Sequence, residues 1–453
     1  MRAWLRILAF VAAMNIFRKR VRWFLIGWMF VISAIAYLDR VNISIAGPSL
    51  EREFHLQHVQ LGWIFSAFVL GYALFQAPGG RLADRFGPRN ILTLGTVWWA
   101  VFTALTAVVP SRLVSALAVL LAVRFLLGTG EAVVYPASNR LVASWIPSQE
   151  RGLANGLIFA GVGAGAGVAP PLITYIVLHQ GWRWSFFISS LIGLAAGVIW
   201  YVLARDQPEN HALVTDGERS FIRAGLPASG GQTRTLSWRA IFASKDVAAI
   251  TVSYFCYGYV AYIFFSWFFI YLSAVRGLDL KSSSHYAMLP FLAMASCSLL
   301  GGWLSDLITQ RAGKRAGRCG LACGSMALCT VFIALGAYAQ DVRLAGVVLA
   351  GGAGALYLSQ SSFWSVTSEI AGSSAGTVSG VMNMGGQIGG ALTASLTPLI
   401  AKYFGWETSF FVAAALCSLG ALLWLMVNAE RGLAQMQQAL SAGSAGRTSG
   451  AHP

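Results

Sequence analysis

Twelve stretches of mostly apolar residues run along this chain, near 23–50, 58–80, 90–110, 113–140, 152–178, 183–204, 247–273, 285–306, 319–339, 344–368, 376–401 and 407–428. About 20 such residues, wound as a helix, match the ~30 Å hydrocarbon core of a bilayer. Lipid offers no hydrogen bonds, so each stretch must satisfy its own backbone, and the spans are read as helices. Charge is scarce to match: 11% of the 453 residues are charged and 57% are hydrophobic, against roughly 25% charged in a soluble chain. The expected fold is an all-α membrane protein of twelve transmembrane helices in two pseudo-symmetric six-helix halves.

The linkers are short except for 205–245, which is polar and contains Pro208, Pro227, Gly230 and Gly231. It separates an N-terminal half (22–204) from a C-terminal half (246–428). Residues 1–21 form an N-terminal extension. In it, Ile7–Ile16 is apolar but too short to span and lacks a small-residue cleavage site. The stretch reads either as an interfacial segment or as residues ahead of an initiator at Met14. The tail 429–453, rich in Gly, Ser, Ala and Gln, is expected to be disordered.

Twelve spans put both termini on one side. The loops on that side hold 23 Lys and Arg, the opposite loops seven, and Arg40 and Arg124 fall inside helices. The positive-inside rule then makes both termini and the linker cytoplasmic, as in a multi-pass inner-membrane protein. The formal charge of +15 is topological information, and no nucleic-acid partner is expected. The six Cys and six His show no ligand spacing, so no metal or cofactor is expected.

The halves repeat. At an offset of 224, residues 152–188 match 376–412 at eleven of 37 positions, including Gly152, Gly156, Gly161 and Gly165 with Gly376, Gly380, Gly385 and Gly389. At an offset of 222, Gly79-Gly80-Arg81-Leu82-Ala83-Asp84 faces Gly301-Gly302-Trp303-Leu304-Ser305-Asp306. Two units in the same orientation imply a pseudo-two-fold axis along the membrane normal, with a ligand site between them near the midplane. The small residues of spans five and eleven suit close helix approach, here a sliding interface between the halves.

The segment Gly80–Arg89 after span two resembles the signature loop of the major facilitator superfamily, and the copy from Gly302 is degenerate after Asp306. Within that superfamily, Tyr37-Leu38-Asp39-Arg40-Val41-Asn42, Arg124-x6-Glu131 and Trp145-Ile146-Pro147-Ser148-Gln149-Glu150-Arg151 resemble the anion:cation symporter family. The resemblance implies proton-driven uptake of a small organic anion, such as a sugar acid or another carboxylate. It also implies substrate contacts at Ser361 and Trp364 of span ten and Gln387 of span eleven. Relatives often carry a polar Gln or Asn in mid-span five, where this chain has Gly161-Val162-Gly163. That departure favours a less polar acid.

Asp39, Arg40, Arg124 and Glu131 are the charges placed well inside the membrane, and each needs a partner or a wet cavity. Arg124 and Glu131, seven residues apart, share a helix face about 10 Å apart; a substrate, or Asp39 and Arg40, could bridge them. A guanidinium grips a carboxylate through two parallel bonds, which makes Arg40 the first choice of anion clamp, with Tyr37 on its face. Tyr72, Arg124 and Asn383 complete the substrate set. A buried carboxyl caught between desolvation and a guanidinium can exchange a proton near neutral pH. Asp39 and Glu131 are therefore read as proton-coupling residues, the alternative being a static network that joins spans one and four. Gly80, Asp84, Arg85, Gly87, Arg89 and Asp306 are read as a conformational latch, with Asp84 capping a helix or pairing with Arg140. The alternative is a simple topology anchor. An exporter or antiporter of anionic metabolites or drugs is the rival transport reading. A membrane sensor would need a larger soluble domain than 205–245, and an enzyme a nucleophile or metal constellation. A monomer is expected.

The charge asymmetry makes a topological prediction. In intact cells, Ser229→Cys should resist an impermeant thiol reagent added outside and react only after permeabilisation. Rapid labelling from outside would invert the topology.

Overall fold

The computed structural model describes residues 20–226, 235–268, 271–272, 276–277 and 280–433. Expectations for 1–19, for Ser229 and for the tail beyond 433 lie outside the described residues. The described chain is helical. The N-terminal half contains α1 (Val21–Phe54), α2 (His58–Phe86), α3 (Pro88–Val108), α4 (Ala116–Glu131), α5 (Val134–Trp145), α6 (Arg151–Gln180) and α7 (Trp182–Leu203). The linker carries α8 (Asp216–Gly225) and α9 (Trp238–Ala243). The C-terminal half contains α10 (Lys245–Ser266), α11 (Leu280–Lys314), α12 (Leu321–Tyr338), α13 (Val342–Leu358), α14 (Gln360–Ala371), α15 (Ala375–Phe404) and α16 (Trp406–Leu423).

Among the described residues, ten continuous helical stretches are long and apolar enough to cross a membrane, but two of them have 51 and 63 residues. At 1.5 Å per residue each of those exceeds twice the bilayer core. Each also contains a backbone reversal, at Gly313 (φ 84°) and Gly372 (φ 52°), so each crosses twice and the crossings number twelve. Spans four and ten are each broken in two, as α4–α5 and α13–α14. The helices also run past several predicted ends: α1 reaches Phe54 and α11 runs on as far as the reversal at Gly313, because a long helix can carry charged residues out of the lipid. The repeated Gly-Trp pair has a local cause. Gly181 (φ 91°) and Gly405 (φ 87°) each turn the chain in the left-handed region between α6 and α7 and between α15 and α16.

The halves meet through two equivalent pairs, α2 against α15 and α11 against α6. Gly80 and Gly376 touch backbone to backbone, as do Gly302 and Gly152; a Cβ on Gly80 would lie 1.9 Å from the Gly376 carbonyl oxygen. The other conserved-offset glycines do not all face the partner half. Gly161 and Gly165 pack on α1, and Gly385 and Gly389 on α10, so they serve packing within a half and only part of the stripe forms the inter-half surface.

On the linker side the two repeated aspartates cross over. Asp84 accepts from the backbone N–H groups of Gly376 and Thr377 at 2.9 and 2.7 Å. Asp306 accepts from those of Gly152 and Leu153 at 2.9 and 2.7 Å. Each carboxylate thus caps a helix N-terminus of the other half, where orphan N–H groups and the helix dipole favour negative charge. Arg140 lies 3.6 Å from Asp84. Arg318 is fully buried and binds Asp306 at 2.8 Å, Glu369 at 3.2 Å and the Ser148 carbonyl at 2.6 Å. The sequence count had placed Arg318 in a solvated loop; the π-helical turn Arg315–Gly320 instead folds it under α14, and neighbouring acids offset its desolvation. Asn139 and Asn155 add hydrogen bonds to Thr367 and Ser365 across the seam.

The linker also contributes. Glu218 of α8 accepts from the N–H groups of Val21 and Arg22 at the start of α1. Leu236 accepts from Arg81 through its carbonyl and donates to Ser374 through its N–H, so one residue touches both halves. All twelve residues of α14 are buried. Away from the linker, the far ends of α6 and α15 become largely exposed. The seam is therefore closed on the linker side.

Asp306→Asn should weaken that closure, because breaking a buried ion pair leaves Arg318 without full compensation, a loss of about 3 kcal/mol. In detergent, a cysteine at buried Ser365, followed by peptide mass spectrometry, should alkylate at least threefold faster in the Asp306→Asn background. An unchanged rate would deny Asp306 a role in closing the seam.

Candidate functional site

A narrow cavity of about 50 Å³ lies between the halves. Seven tyrosines line it: Tyr37, Tyr72 and Tyr135 from the N-terminal half, and Tyr254, Tyr257, Tyr262 and Tyr357 from the other. Phe159, Phe265, Gln360, Asn383 and Gln387 complete the polar and aromatic wall. Helix α10 delivers Tyr254, Tyr257, Gly258, Ala261, Tyr262 and Phe265, and α15 delivers Asn383, Gly386 and Gln387, at three- or four-residue spacing, so one face of each meets the cavity.

Arg40 borders the cavity behind two of those rings. Its guanidinium carbon lies 4.7 Å from the Tyr37 ring centre and 4.1 Å from that of Tyr72, a cation–π arrangement that partly compensates burial. Its Nε donates to Glu131 Oε1 at 2.5 Å. Arg40 Nη2 and Glu131 Oε2 are buried without hydrogen-bond partners. The pair joins α1 to the end of α4, where the break before α5 places Glu131 against α1.

The four buried charges do not form one cluster. Arg124 lies 5.0 Å over the Phe68 ring, its Nε without a partner, and makes no ion pair within 4 Å among the described residues. Glu131 pairs with Arg40, not with Arg124. Asp39 points the other way, accepting from the Trp99 indole N–H and, at 3.3 Å, from Thr103. Neighbouring positions on a helix differ by about 100°, and here that sends Arg40 to the cavity side and Asp39 toward α3. The bridging of Arg124 and Glu131 by span one is therefore half made.

In the C-terminal half, Asn383 and Gln387 line the cavity; Gln387 accepts from Tyr262 at 2.8 Å. Ser361 and Trp364 do not line it. Helix α13 ends at Leu358 and the chain turns at Ser359, which presents Tyr357 and Gln360 instead. Trp364 supports the floor: its indole donates to the Tyr254 hydroxyl at 3.3 Å and its ring lies 4.9 Å from Phe159. Within the proposed latch, Asp84 and Asp306 span the halves and Gly80 is a contact point. Arg85 is exposed over Phe86. Gly87 turns the chain between α2 and α3. Arg89 bonds to the Tyr201 carbonyl within its own half. Tyr135, Tyr357, Gln360 and Gln76 were not singled out from the sequence. A lone amide or tyrosine in an apolar run was the available signal.

A family model described as Major Facilitator Superfamily matches residues 29–394. A probable sulfoacetate transporter of Cupriavidus necator is 34% identical over 91% of this chain and 95% of its own length. A probable galactarate/D-glucarate transporter of Bacillus subtilis is 29% identical over 91% of this chain and 90% of its own. Among solved structures, the proton:xylose symporter XylE superposes with a TM-score of 0.71 at 15% identity, covering 92% of this chain and 98% of that one. The transporter FucP in its outward conformation gives 0.64 at 18% identity, covering 89% and 97%. The chain belongs to the major facilitator superfamily and is a membrane transporter.

Proposed function

We propose that this transporter takes up a small organic anion together with a proton, by alternating access. The observation that carries the reading is the Arg40–Glu131 pair beside the aromatic cavity. A guanidinium with one carboxylate partner and an unused Nη2 is set to receive a second anion. Two anions competing for one cation give coupling directly. When Glu131 takes a proton it loses its hold on Arg40, and the substrate carboxylate replaces it in the fork. When the substrate leaves, Glu131 gives up its proton and re-forms the pair. Proton and anion then cross together, and the low polarity of the site is spared an unpaired charge.

The relatives support an anionic substrate, since their names specify sulfoacetate and galactarate or glucarate. The cation excess of the linker side supports placing that side in the cytoplasm. With the cytoplasmic seam closed, the site would be loaded from outside, as an importer requires. Asp39, held by Trp99 and Thr103 in the same half, is assigned a second proton-carrying role. The tyrosine-rich wall with its few amides favours a compact acid over a long polyhydroxy chain.

Two measurements test this. Arg40→Lys keeps the charge but loses the fork, so calorimetry with a bound carboxylate should show at least tenfold weaker affinity. Parental affinity would remove Arg40 as the clamp. In proteoliposomes, Glu131→Gln should retain substrate counterflow and lose pH-driven accumulation, and Asp39→Asn should do likewise if the two acids relay one proton. Full accumulation by both variants would refute proton coupling through these residues.

A further inference from the structure

Tyr72, Gln76, Gly80 and Asp84 follow one another at four-residue intervals along α2 and form one inclined stripe toward α15. The last two close the seam, through backbone contact at Gly376 and the cap on Gly376 and Thr377. The first lines the cavity and lies against Arg40. Gln76 sits between closure and cavity. It is fully buried, its Oε1 accepts from Asn383 Nδ2 at 2.9 Å, and its Nε2 has no partner. Asn383 itself lines the cavity. Their pairing uses one N–H of Asn383 and the C=O of Gln76, and leaves both N–H donors of the Gln76 amide unused. A buried donor without a partner is costly to a fold, and Gln76 Nε2 is such a donor.

We infer that Gln76, through its pairing with Asn383, is a specificity-determining residue that reads a second oxygen-bearing group on the substrate. Four residues of helix rise about 6 Å, so the amide pair lies roughly that far beyond Tyr72, away from the Arg40 clamp. A ligand with its carboxylate at Arg40 reaches the pair with a hydroxyl, oxo or sulfo group two to four bonds along. The substrate class is therefore a short oxygenated acid. The amide pair also bridges the halves at the cavity floor, so a ligand that bonds to it replaces an inter-half contact that must break before the seam can open. This assignment rests on the anion-clamp reading of Arg40.

The test is calorimetric binding to the purified full-length chain of three probes: propanoate, 3-hydroxypropanoate and sulfoacetate. The parent should bind the two oxygenated acids at least tenfold more tightly than propanoate. Gln76→Met, close in volume but without the amide, should bring that ratio to within about threefold of unity. Gln76→Asn, which keeps the amide one methylene back, should restore part of the ratio. A general loss of stability would weaken all three probes together and leave the ratio intact, which would overturn the inference, as would a ratio near unity in the parent. Should Gln76→Met fail to fold, Asn383→Leu is expected to collapse the same ratio, and a retained ratio there counts equally against it. Binding of none of the probes, with Arg40→Lys indistinguishable from the parent, would overturn the clamp itself.

Discussion

A guanidinium inside a bilayer must be answered by an anion, by aromatic faces or by water, and the arrangement around Arg40 follows from that requirement. Tyr37, Tyr72 and Phe68 lie against it, and Glu131 takes one of its donors. The break between α4 and α5 brings Glu131 within reach. The compensation is incomplete, since Arg40 Nη2 and Glu131 Oε2 are left without partners. A fully satisfied ion pair would hold α1 and α4 together and offer nothing to a visiting acid; the leftover donor and acceptor are what the proposed exchange of Glu131 for a substrate carboxylate requires. The tyrosines that pay for the charge are also the walls of the cavity, so stabilising the cation and shaping the binding space are one task.

The crossings, the two halves and the inward charges were legible in the sequence because lipid imposes long apolar runs and makes each exception conspicuous. Arg40 and Glu131 were visible for that reason. The repeat of Gly-Gly-x-Leu-x-Asp was visible as identity at a constant offset, and Asp84 as a cap followed from the electrostatics of helix ends. Arg318 was not legible: next to a loop, a cation counts as solvated, and only tertiary folding places Asp306 and Glu369 on either side of it. Ser361 and Trp364, singled out by resemblance, do not line the cavity; Tyr357 and Gln360 do, on either side of a break that nothing in Leu358-Ser359-Gln360, neither Gly nor Pro, announces. Gln76 carried a signal that went unweighed, since an amide in the apolar run Leu74-Phe75-Gln76-Ala77 has no cheap partner in lipid.

The crossed caps of Asp84 and Asp306 have a consequence for how the two halves depend on each other. Each aspartate finds its donors on the other half, and neither half contains the helix start that its own aspartate serves. One six-helix copy alone would leave both a carboxylate and a set of N–H groups unanswered, while two copies related by a two-fold axis answer both at once. The closed seam is thus an isologous interface in the sense used for symmetric dimers: the same patch meets itself, rotated by half a turn. In a fused chain the two patches are free to diverge. Here Arg140 stands at a distance from one aspartate and Arg318 is in full contact with the other, so the two crossed caps are held on unequal terms.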